Sequence, residues 1–172
     1  MPELFRTRDV VVLFKGDAYP VAVDDAMLAQ GWPGGQGVHW VDSPLDDFRV
    51  SYSDGLYGGF LLWGSNESSD VWTALTGQQL AYGYGILCAG GWLISTSTFE
   101  RYTYASRIGG PLVANNYVVG ERLVFSKRGL LTREDEWTAT VDPRMPNQWY
   151  IANVIQVPSA ANNWYLTVQT SI

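Results

Sequence analysis

Any nucleophile–base pair in this sequence must use its single histidine or a buried amine. His39 lies in Gly37-Val38-His39-Trp40 with Asp42 close behind, so a Ser-His-Asp set would have its base and its orienting acid here. Such a set commonly places its serine on a Gly-x-Ser-x-Gly elbow, and Ser51-Tyr52-Ser53-Asp54-Gly55 lacks the first glycine. The expectation is a histidine packed or hydrogen-bonded beside a loop. Cys88 sits in Ile86-Leu87-Cys88-Ala89, an apolar setting that raises a thiol pKa and leaves it an inert core residue. One Cys and one His give neither an intrachain disulfide nor a Cys/His metal site.

The carboxylates come as neighbours: Asp24-Asp25, Asp46-Asp47 and Glu134-Asp135-Glu136. Adjacent residues on a strand point to opposite faces, so these read as solvated loop charge, and no EF-hand spacing is present. Gly83-Tyr84-Gly85-Ile86-Leu87-Cys88 breaks the dinucleotide pattern at its last glycine, and Gly34-Gly35-Gln36-Gly37 precedes no helix. Both read as turns or bulges. No cofactor and no metal are expected.

The elements that would carry these residues are short and β-like. Val10 to Phe14 and Tyr19 to Val23 flank Lys15-Gly16-Asp17-Ala18, which suggests a hairpin turn at Gly16-Asp17. Pro20 lacks a ladder donor and puts the second strand at an edge or bulge. Asp24 to Gln30 suits one or two helical turns, stopped by Gly31 and Pro33, and Gly31 to Gly37 reads as a flexible loop. Phe48 to Tyr52 alternates, and Asp54-Gly55 turns the chain into Leu56 to Trp63. Trp92 to Tyr104 is the longest strand candidate, with Trp92, Ile94, Thr96, Thr98, Glu100, Tyr102 and Tyr104 on one side. Tyr117 to Phe125 and Leu130 to Thr132 flank Ser126-Lys127-Arg128-Gly129, a hairpin loop with Gly129 in the left-handed position. Trp149 to Val157 and Trp164 to Ile172 close the chain, the last alternating like a half-buried strand.

No apolar stripe of helical period persists over ten residues. Short strands with glycine turns therefore predict an all-β, single-domain antiparallel β-sandwich or β-barrel with little helix. Residues 1–8 form an N-terminal arm or a frayed end, and 9–172 the β domain.

Composition narrows the function. The chain has 172 residues, a net charge of −6 and 16% charged residues, against the ~25% of an average domain. Its 47% hydrophobic content argues against disorder. Two Lys and nine scattered Arg disfavour nucleic acid, and the five-residue run Val10 to Phe14 is too short to span a membrane. Met1 to Arg8 does not resemble a signal peptide, so the expectation is a soluble protein made in a cytoplasm.

Eight Trp and ten Tyr remain. They serve either core and subunit contacts or sugar stacking, for which Trp32 and Trp40, in or beside the Gly-rich loop, are the exposed candidates. Pro111 to Val119 resembles the nucleophile strand of the family 11 xylanases over nine residues. Ala114 stands where that family has its catalytic Glu, and no Asp or Glu follows Asp142. Retaining hydrolysis needs two carboxylates, so the resemblance does not extend to that activity. A carbohydrate-binding module stays as an alternative.

A second resemblance covers about residues 90–172. Tyr117-x-x-Gly120-x-x-Leu123-x-x-Ser126-x-x-Gly129-Leu130-Leu131-Thr132 is followed by Ile151-x-x-Val154-Ile155-x-Val157-Pro158, then by Trp164-Tyr165-Leu166-x-Val168. This order resembles the small β-rich decoration (cement) proteins and related head proteins of tailed bacteriophages. The resemblance implies a non-enzymatic virion protein on the outer capsid surface, bound to the major capsid protein, as a homotrimer. A tail or neck component is the variant of that expectation. Low charge and an excess of Arg over Lys suit such contacts, for which Leu4, Phe5, Trp32 and Trp40 are the candidates.

Overall fold

The computed structural model describes residues 9–41, 49–52, 59–65, 84–136 and 151–171. Within them the β-branched and aromatic runs become strands, and no helix exceeds six residues. The strands are β1 (Val10–Phe14), β2 (Asp17–Val23), β3 (Gln36–Val41), β4 (Arg49–Tyr52), β5 (Gly59–Leu61), β6 (Tyr84–Ala89), β7 (Leu93–Thr96), β8 (Arg122–Phe125), β9 (Leu131–Arg133), β10 (Ala152–Gln156) and β11 (Leu166–Thr170). Two helices, α1 (Asp25–Gln30) and α2 (Tyr104–Arg107), are one to two turns each.

These strands form two units. One is an antiparallel six-stranded sheet in the order β1-β7-β11-β10-β8-β9, the other a closed barrel in the order β2-β4-β3-β5-β6. The barrel closes through one parallel contact, Ala22 and Val23 against Arg49 and Val50. The expected all-β class is therefore correct, with barrel and open sheet both present.

The expected hairpin at Gly16-Asp17 does not form. Val10–Phe14 pairs with β7, whereas Asp17–Val23 pairs with β6, so the chain crosses from sheet to barrel at Lys15-Gly16. Glycine is needed there for space rather than for turn geometry. A Cβ on Gly16 would lie 2.7 Å from the Trp92 ring. That ring is buried and donates from its indole nitrogen to the carbonyls of Asp17 (3.0 Å) and Ala89 (2.9 Å). β2 is not the expected edge strand, since the closed barrel sets it between β6 and β4; Pro20 is accommodated because β6 pairs with β2 along Asp17 to Ala22 whereas β4 meets only Ala22 and Val23.

The Gly-rich loop is more regular than its composition suggests. Asp24 caps α1 by accepting from the Met27 amide at 2.9 Å, and the Gly31 amide closes the helix on the Met27 carbonyl. Gln36-Gly37 then already belongs to β3, paired with Leu61 and Phe60. The Gly37 amide donates to the Gly129 carbonyl at 2.7 Å, and a Cβ on Gly37 would lie 2.6 Å from the Phe125 ring. Here barrel and sheet touch backbone to backbone.

Period-two alternation sorts the core. Leu61 of β5 and Leu87 of β6 point into the barrel with Val21, Val23, Val38, Val50, Met27 and Trp32. Their neighbours Phe60, Ile86 and Cys88 point outward and join Trp92, Ile94, Leu123, Phe125, Val154, Leu166 and Val168 of the sheet. Each such side chain contributes ~1.5–3 kcal/mol when fully buried.

Three expected strands are shorter than their apolar runs. Trp92 to Tyr104 forms a ladder only to Thr96, although Trp92, Ile94, Thr96, Thr98 and Glu100 all stay buried. Beyond Thr96 the segment bends to β9, where the Glu100 amide donates to the Leu131 carbonyl at 2.8 Å and Phe99 bridges Leu131. Tyr117 to Phe125 becomes regular only at Arg122, after a turn in which the Glu121 amide reaches the Val118 carbonyl. Of Leu56 to Trp63, Gly59–Leu61 is strand. The β8–β9 hairpin is as expected, with Gly129 at φ +74°, and β10 and β11 pair antiparallel. Residues 1–8, Phe48 and the Asp54-Gly55 turn lie outside the described residues.

Candidate functional site

The alternation that buries Trp92, Ile94, Thr96 and Thr98 carries a carboxylate inside with them: Glu100 is 0% exposed. A buried carboxylate needs cations and hydrogen bonds, since its desolvation costs several kcal/mol. The β8–β9 hairpin supplies most of them. Arg128 donates from Nε to Oε1 at 3.0 Å and from Nη2 to Oε2 at 2.5 Å, and the Ser126 hydroxyl donates to Oε1 at 2.7 Å. A second cation comes from α2, whose Arg107 Nη1 lies 2.7 Å from Oε2. Burial pushes the Glu100 pKa up, but the Arg128 and Ser126 hydrogen bonds and the two guanidinium charges outweigh it and hold the carboxyl below its ordinary value. Glu100 is therefore ionised at neutral pH with its oxygens occupied. That suits anchorage, not proton transfer.

The backbone carbonyl of Glu100 is equally engaged. It accepts from Asn115 Nδ2 at 3.1 Å and from the Tyr117 hydroxyl at 2.5 Å. Burial and the nearby Glu100 charge raise the Tyr117 pKa, which keeps the phenol a neutral donor.

Between Glu100 and the turn at Gly120 the chain leaves the sheet as an excursion, residues 101–119, whose two stems are zipped together. The Thr103 amide donates to the Val113 carbonyl at 3.0 Å, the Asn115 amide donates to the Arg101 carbonyl at 2.9 Å, and Tyr102 bridges Ala114. At the tip the Ser106 hydroxyl donates to the Pro111 carbonyl and accepts from the Val113 amide, both at 2.7 Å. Most large side chains facing out are apolar, with Tyr102, Ile108, Leu112, Val113, Val118 and Val119 41–74% exposed beside the polar Arg101 and Asn116. An exposed apolar surface of this kind is suited to burial against another apolar surface.

The residues singled out from sequence are dispersed. Trp32, expected exposed, is buried in the barrel and donates from Nε1 to the Trp63 carbonyl at 2.9 Å. Its polar handle is used internally. Trp40 on β3 is 44% exposed, and Trp164, not singled out, is 56% exposed. The sugar platform of Trp32 with Trp40 is thereby reduced to one ring. Leu4 and Phe5 lie outside the described residues, as does Asp42. His39 packs on β3 with Nδ1 2.8 Å from the Tyr52 carbonyl, as expected of a hydrogen-bonded histidine. Cys88 is buried, and burial drives its thiol pKa strongly up.

The acidic triplet departs from simple solvated charge. Glu134 pairs with Arg122 at 3.0 Å, and Glu136 Oε2 accepts from the Tyr104 amide at 2.7 Å, while Asp135 stays exposed. Asp24 is the α1 cap rather than a free charge. Glu100 escapes a search for adjacent carboxylates because Arg128, its main partner, is 28 residues away. Its signal was positional: an ionisable residue on an otherwise uncharged alternating face.

Compared with protein-family models, curated proteins and solved structures, the chain matches none.

Proposed function

We propose that this chain is a tailed-bacteriophage virion structural protein: a capsid decoration (cement) protein that binds the major capsid protein lattice on the outer head surface as a homotrimer. On this reading it is made in the host cytoplasm, has no catalytic role, and needs no cofactor, nucleic acid or membrane. The observation that carries the reading is the 101–119 excursion, taken with the resemblance of residues 90–172. Four exposed apolar side chains, Tyr102, Ile108, Leu112 and Val113, share one internally hydrogen-bonded projection, with Val118 and Val119 exposed just beyond its returning stem, and this order lowers the cost of docking. The excursion's only charges are Arg101 and Arg107, in a chain of net charge −6. Arg107 is held by Glu100, so an apolar projection with the exposed Arg101 at its base fits an apolar groove with a carboxylate at its border.

Co-sedimentation with heads of the phage that carries the gene tests this. Stoichiometric pelleting is expected, and Leu112→Asp with Val119→Asp should weaken it by tenfold or more, ~1.4 kcal/mol. Wild-type protein that stays in the supernatant overturns the reading. Light scattering checks the trimer, and electron microscopy of labelled virions separates a head position from a tail or neck position.

A further inference from the structure

We propose that Glu100 is a latch: by holding Arg107 and Arg128 together it fixes the shape of the 101–119 excursion, and loss of its single charge frees the excursion while the sheet and barrel stay folded. Three segments converge on this residue, and α2 has one further anchor, the Glu136 carboxylate that accepts from the Tyr104 amide at 2.7 Å. The Glu100 carbonyl holds the returning stem through Asn115 and Tyr117. Its carboxylate holds the tip helix through Arg107 and the β8–β9 hairpin through Arg128 and Ser126. Arg107 also donates from Nη1 to the Tyr102 carbonyl at 3.2 Å, so one side chain ties both the outgoing stem and the latch.

Polar contacts must carry the shape because hydrophobic burial does not. α2 has no buried residue, and from Arg101 to Ala114 every residue is exposed or half-buried. Asn115 and Tyr117 are the first buried positions of the returning stem. Charge then sets the sign. Both guanidinium groups approach the same Oε2, at 2.7 and 2.5 Å. Without the carboxylate charge they face one another as like charges at close range and push α2 away from the hairpin.

The titratable groups facing the carboxylate are Arg107 from α2, Arg128 from the hairpin and the Tyr117 phenol, with Ser126 as a neutral donor. Of the groups in contact with this carboxylate, only Glu100 itself is of a type that changes charge in the acid range. Its folded pKa lies below the unfolded one. The latch is therefore complete above the ordinary glutamate range and is lost as pH falls through the depressed value.

Amide hydrogen exchange of the free protein, read by mass spectrometry over 101–119, tests the latch. Glu100→Gln and the milder Arg107→Gln are each expected to speed exchange there by about tenfold or more, with β10 and β11 unchanged. Corrected for intrinsic rates, wild-type exchange in this segment should rise towards acid pH, and Glu100→Gln should flatten that profile. Wild-type rates in Arg107→Gln, or a wild-type pH profile in Glu100→Gln, overturn the proposal, and the first holds even if Glu100→Gln fails to fold. The weakened head binding also expected of both variants rests on the decoration reading. A wild-type protein that ignores heads would sink that reading and leave the exchange result standing.

Discussion

Three residues show how burial assigns roles that residue type leaves open. Glu100 and Cys88 are both fully buried, yet burial drives the thiol to stay neutral while the surrounding cations keep the carboxylate charged. Cys88 should accordingly resist a water-soluble thiol reagent in the native protein and react fully in denaturant. Rapid native labelling would contradict its place between barrel and sheet. The inertness of Cys88 was legible from its neighbours Ile86 and Leu87, which flank it with apolar bulk. Trp32 was not legible: glycine and proline around it suggest exposure, but its indole nitrogen finds the Trp63 carbonyl 31 residues away. Glu100 was half legible, since alternation put it on one side with Trp92 and Ile94, but nothing local named its cations.

At the level of elements, the glycines separate turns that need only a backbone conformation from turns that need space as well. Gly120 and Gly129 both have positive φ, +86° and +74°. A Cβ on Gly120 meets nothing within 4 Å, whereas one on Gly129 would collide with the Gln36 side chain and lie 2.6 Å from the Gly37 carbonyl. Gly120→Ala should cost about 1 kcal/mol from the left-handed backbone. Gly129→Ala should cost ~2–4 kcal/mol, because overpacking adds to the same strain. Urea denaturation checks the difference, and equal losses would mean the hairpin shifts freely against β3. The hairpin itself was readable from Ser126 to Gly129, as a turn's chemistry is local. The false hairpin at Gly16-Asp17 used the same local signals. Its two strands instead pair with β7 and β6, with the Trp92 ring packed at Gly16, and no pattern at residues 15–18 encodes those distant partners.

Across the whole molecule, one core joins the two strand assemblies. Phe60, Ile86 and Cys88 from the barrel pack with Ile94, Leu123, Phe125 and Val168 from the sheet, and the Trp92 indole hydrogen-bonds to barrel carbonyls. Thermal unfolding followed by far-ultraviolet circular dichroism and by tryptophan fluorescence should give coincident transitions. Separated midpoints would show that barrel and sheet are independent. The all-β class followed from short runs and glycine spacing. Its division into ring and row did not, because β1 and β2 are neighbours in sequence yet serve different assemblies.

That division also makes the molecule polar in its capacity to grow. A closed ring of strands has fixed membership, whereas an open row accepts another strand wherever its outer backbone is vacant. One end of the row, β9, is capped by the Phe99-Glu100 segment. At the other end, among the described residues, no strand lies beyond β1, whose Val11, Leu13 and Phe14 are 43–67% exposed. Among the described residues, strand-by-strand addition therefore has a single direction, outward from Val10–Phe14.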